Sequence, residues 1–316
     1  MFSKFRNSPR LPREVEEVFE RAVARLGGSR FKWKGVTLSF VRRDVRRDFN
    51  TAEHLEILDN APGRTPVDGM AIYLGARLGL PLPEDLALDL KIVRPWLRPR
   101  VLHRRVLEGP LRAMCRREAF VLEQDERREP AEAGDRADEL ITGVGIGGAS
   151  TATYVTTRAL DVWGLTFDEV MLIAVENLRG LVSPADVRDV EGSEGVLAVV
   201  DDTLETGASA ALVLDDLMPE AGWETGVLFS VPRQDVTLIL PVRPGAGARC
   251  LAALMQTVFA MHAEGEHPLS ERVFWKRGGM IDHVPMTSVV EGGARRVHLE
   301  ARGVVEDLLR VLGEIT

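Results

Sequence analysis

The stretch from Trp163 to Leu240 constrains the fold more than any other part of the chain. Thr166 stands as a helix N-cap with Glu169 three residues later, the reciprocal pattern of a capping box. Phe167, Val170, Met171, Ala174, Leu178, Leu181 and Val182 then recur at three- and four-residue steps, which predicts an amphipathic helix, and Pro184 lies just beyond it. A strand is expected over 195–200 and a helix over 206–218, with Ala210, Val213, Leu214 and Leu217 inward. Two further strands, 226–231 and 236–242, flank a turn at Pro232-Arg233-Gln234-Asp235. Strands that arrive in pairs separated by single helices predict an α+β class: a largely antiparallel sheet with helices packed on one face.

At 316 residues the chain exceeds the usual size of one domain, so two units are expected. Residues 125–138 are charged and lack any large apolar side chain, so burial cannot order them. They divide a smaller basic N-terminal α+β unit, 1–124, from an acidic main domain, 139–316. In the first, 11–26 reads as a helix stopped by Gly27-Gly28, and 31–34 with 36–40 as a hairpin about Lys34-Gly35. Residues 44–80 read as mostly helical and 86–93 as a strand, while 101–124 is open between helix and strand. In the second, 140–146 and 151–157 read as a hairpin, 249–262 and 304–312 as helices, and 272–275 with 280–284 as a hairpin.

Net charge is -8, but the two parts differ in sign: 24 Lys+Arg oppose 16 Asp+Glu up to residue 124, and 16 oppose 32 after it. Basic foci at Arg42–Arg47, His103–Arg105 and Cys115–Glu118 suit an acidic partner. No zinc-finger, RNP-type or helix-turn-helix pattern accompanies them, which argues against nucleic acid as a partner. Cys115 and Cys250 lie far apart without CxxC spacing, so neither a disulfide framework nor a zinc site is expected. No apolar run approaches the ~20 residues of a membrane span, and the first residues lack a secretory apolar core. The expectation is a cytoplasmic protein without a membrane partner; a homo-oligomer stays open.

The pieces ENLRGL (Glu176–Leu181), ASAALVLDDLM (Ala208–Met218) and SVPRQDVTLI (Ser230–Ile239), in that order and spacing, resemble the YtpQ-like family of bacterial proteins of unknown function. The similarity runs from about residue 143 to residue 284, and more faintly to KGVTLSF at Lys34–Phe40 and IVRPWLRPR at Ile92–Arg100. The resemblance implies one shared architecture and cytoplasmic placement. It carries no reaction, cofactor or catalytic residue.

Chemical signatures are sparse. GVGIGG (Gly143–Gly148) lacks the following helix that a phosphate loop needs, and its β-branched continuation predicts a hairpin turn. In HAEGEH, His262 and His267 are five apart rather than four, so no metal is assigned, and His262 lies in line with Leu251, Leu254, Met255 and Val258 as a core-edge histidine. His283 and His298 sit in strand-like alternation. Ser209 only mimics a nucleophile elbow, and the pairs Asp201-Asp202 and Asp215-Asp216 read as a strand end and a solvated helix face. No catalytic or cofactor-binding residue is therefore named. The best candidate is a polar patch of Asn177, Arg179, Arg233, Gln234 and Asp235, in which the Arg233 fork suits a carboxylate or phosphate while the turn itself has a plain structural use. The expected function is binding or assembly, with an unknown protein or small molecule as partner. The alternatives are a hydrolase or phosphate-handling enzyme with a dispersed site, and an adaptor docking through its basic N-terminal unit.

Overall fold

A computed structural model describes residues 10–52, 55, 65–78, 80–108, 114, 116–118, 140–147, 153–193, 195–200, 207–219, 224–291, 294–299 and 302–315. The 125–138 segment, Cys115 and Asp201-Asp202 lie outside the described residues. The class is α+β. The chain forms two compact units, one from residues 1–98 and 144–177 and the other from 99–143 and 178–316. These units interleave along the sequence instead of meeting at one linker.

In the first unit, helix α1 (Arg13–Arg25) buries Val15, Phe19, Ala22 and Val23 and carries Glu14 and Glu16 in its first turn, where carboxylates oppose the macrodipole. Strands β1 (Ser29–Lys34), β2 (Thr37–Arg42) and β3 (Val45–Asn50) form an antiparallel meander. Its inner face lays Trp33, Leu38, Phe40 and Phe49 on α1, with Phe19 edge-on to Trp33 at 6.4 Å and tilted to Phe49 at 6.3 Å. The β3 strand corrects the helical reading of residues 44–50. Helix α2 (Pro66–Arg77), capped by the Thr65 hydroxyl accepting from Asp68 N at 3.1 Å, packs against α1.

The strand expected over 86–93 is instead two short helices, α3 (Glu84–Ala87) and α4 (Leu90–Val93). Asp89 caps the second by accepting from Lys91 N at 3.1 Å. Of the strand expected over 151–157, the described residues 153–156 supply a bridge from Tyr154 to Gly145, and Thr156 then caps α5 (Thr157–Trp163). Helix α6 (Phe167–Arg179) begins as the sequence predicts: Glu169 N donates to the Thr166 hydroxyl, and Thr166 N donates to the Glu169 carboxylate at 2.7 Å. The Thr166 N–H, and after it the Thr166 hydroxyl donating to the same carboxylate at 2.9 Å, hold the Glu169 carboxyl below its usual range.

Strands β4 (Leu97–His103), β5 (Arg116–Glu118) and β6 (Leu140–Ile146) form one sheet in the order β4-β6-β5. The larger sheet, in the second unit, contains β7 (Val187–Asp189), β8 (Leu197–Val200), β9 (Val227–Arg233), β10 (Val236–Pro241), β11 (Val273–Arg277) and β12 (Met280–Val284). Its order is β12-β11-β9-β10-β8-β7, and every pairing is antiparallel. The expected 206–218 helix resolves into a 3-10 stretch, Ala208–Val213, followed by the short α7 (Leu214–Leu217).

Helix α8 (Arg249–Glu264) brings Leu251, Leu254, Met255 and Val258 onto Leu228, Leu238, Leu240 and Trp275, and α9 (Val304–Leu312) adds Val305, Leu308 and Leu312 to the same cluster. Both long helices of this unit thus share one core. The Ala208–Val213 stretch packs on β9 and β10. A further hairpin pairs β13 (Met286–Glu291) with β14 (Ala294–Leu299). No helix among the described residues is long and apolar enough to cross a membrane.

Candidate functional site

The five residues singled out from the sequence divide between the two units. Asn177 belongs to the first unit, where its amide nitrogen donates to the Arg94 carbonyl at 2.8 Å and the Leu97 carbonyl at 3.0 Å. Both amide hydrogens are thereby committed to backbone where the chain enters β4. The other four belong to the second unit. Arg179 pairs with Asp216 at 2.9 Å, with both side chains about half exposed. Arg233 donates to Asp235 at 2.8 Å, so the guanidinium fork finds its carboxylate two residues away.

The turn at 233–235 is clamped from several sides. Ala208 N donates to the Gln234 carbonyl, Gln234 N to the His267 carbonyl, and Leu269 N to the Pro232 carbonyl, all at 2.9–3.1 Å. The Thr237 hydroxyl, fully buried, donates to the Gly207 carbonyl at 2.7 Å. A Cβ on Gly207 would stand 2.2 Å from the Asp235 carbonyl carbon, and one on Gly265 would stand 2.3 Å from Arg233 Cδ. At Gly207 the neighbour is backbone and leaves no room for a side chain, whereas at Gly265 it is the stem of the Arg233 side chain. The geometry makes the turn a structural node that ties β9 and β10 to the 208–213 stretch and to the chain leaving α8.

A small hollow of about 110 Å³ opens beside α8 in the second unit, lined by Met255, Phe259, Glu271, Arg272, His283, Val284 and Met286. His262 Nδ1 lies 3.3 Å from a Glu271 carboxylate oxygen, with both side chains about a third exposed or less. The lining holds no Ser, Thr or Cys, so it presents no hydroxyl or thiol nucleophile. Asp215 and Asp216 are exposed as expected, Asp215 pairing with Lys276 at 2.9 Å. Among the described residues no group of three or more His, Cys, Asp or Glu side chains could hold a metal ion.

A further concentration of charge lies in the meander of the first unit, where Arg42 donates to the Leu26 carbonyl at 2.7 Å and Arg47 to the Leu78 carbonyl at 3.2 Å. Residues 29–50 carry seven Lys and Arg against two Asp. Register places Lys32 across from Ser39 and Ser39 from Asp48, Lys34 across from Thr37 and Thr37 from Asn50, and Val41 across from Arg46. Strand alternation puts these on the outer face, opposite Trp33, Leu38 and Phe49. Lys32, Lys34, Arg46, Asp48 and Asn50 are all exposed.

Arg46 donates to the Ser39 hydroxyl at 3.2 Å and to the Asp48 carboxylate at 3.3 Å. The Ser39 hydroxyl, with Arg46 beside it, holds the Asp48 carboxyl below the usual carboxylate range. At the β2–β3 turn, Arg43 and Asp44 both have positive φ, 48° and 62°, as a two-residue type I′ hairpin requires, yet neither is glycine. Burial, with Arg43 and Arg47 nearby, pushes Arg42 below its ordinary value. Cations are crowded at this tip. The sequence flags Arg42–Arg47 as basic but reads it as the start of a helical stretch, which hides the strand that sets Arg46 on the same face as Lys32 and Lys34.

No family model, curated protein or solved structure matches the chain.

Proposed function

We propose that this protein is a binding module, not a catalyst, and that it engages an anionic partner through the outer face of the β1–β3 meander. The observation that carries this reading is the exposed set of Lys32, Lys34 and Arg46 on one sheet face, in a chain whose net charge is -8. Crowding cations on one short hairpin costs stability unless an anion neutralises them. The polar residues that looked most chemical, Asn177, Arg233 and Asp235, are committed to backbone or to each other. Kinship with the YtpQ-like family and a place in the cytoplasm belong to the same reading, supported by the ordered ENLRGL, ASAALVLDDLM and SVPRQDVTLI segments and by two cysteines without partner motifs.

Retention on heparin tests it. The intact chain is expected to bind at low salt and elute as salt rises, and the K32E/K34E double variant is expected to flow through with unchanged melting temperature. Equal retention of both proteins would defeat the assignment.

A further inference from the structure

We draw no further inference here: the strongest candidate, the hollow of about 450 Å³ in the first unit where Arg21 and Arg25 of α1 meet Thr65 and Val67 at the start of α2, is a helix N-terminus whose Asp68 carboxylate already accepts from Arg25 and Thr65, and nothing else there points to a ligand.

Discussion

At the scale of single residues, the chain places strain and close approach where an ordinary hairpin protein would not. Arg43 and Asp44 occupy the left-handed region that favours Asn-Gly, and each L-residue there costs on the order of 1 kcal/mol. Replacing Asp44 by Gly is therefore expected to raise stability by about 0.5–1 kcal/mol in urea unfolding, after the greater entropy of glycine in the unfolded chain is deducted. A neutral or negative change would show that the turn is unstrained. Gly207 presents the opposite case. Its Cα faces the Asp235 backbone so closely that G207A should cost about 2–4 kcal/mol, because a Cβ 2.2 Å from backbone cannot be accommodated by a rotamer change. Asn177→Ala should cost about 1–2 kcal/mol by stranding two carbonyls, with heparin retention unaffected.

At the scale of elements, the helix from Phe167 was legible in the sequence because its signals are local: Thr166 and Glu169 cap one another before an apolar stripe. Thr166→Ala is expected to lower stability by about 1 kcal/mol. The Glu169 half of the box carries a pH signature. Its carboxyl is depressed in the folded state, so its contribution is present above the unfolded value of about 4.3 and is lost as pH falls through the lower folded value. E169Q should flatten the acid limb of the stability profile, and an unchanged limb would rule this contribution out.

Two other elements were misread for physical reasons. In 84–93 the run Leu86, Leu88, Leu90, Ile92 alternates like a strand, yet Pro83 starts one helical turn and the Asp89 cap starts another. In 45–50 the residues are mainly charged, so no period-two apolar pattern announces a strand. Pairing with β2 supplies what local sequence does not. The candidate face was hidden by the same misreading, because Arg46 joins Lys32 and Lys34 only through tertiary register.

At the scale of the whole molecule, the two units are woven from alternating parts of the chain. Val144, Ile146, Val155, Ala159, Val170, Met171 and Ala174 all enter the core that also holds Phe19 and Phe40. A fragment of residues 1–124 lacks all seven and is expected to show no cooperative thermal transition, whereas a fragment with a sharp transition and native-like near-UV spectrum would contradict this organisation. The linear division suggested by the charged 125–138 stretch could not show it, since composition marks a break in sequence and not which distant strands share a core. Charge is also distributed at this scale: basic side chains concentrate in the meander while the chain as a whole is acidic, so attraction to an anion acts at contact range and weakens as salt screens it.

Amide hydrogen exchange of the intact protein with and without heparin tests the central claim most directly. Slowed exchange is expected to concentrate in residues 29–50 and to be abolished by K32E/K34E. Slowing centred on the 233–235 turn or on the hollow beside Met255, with the meander unchanged, would contradict it.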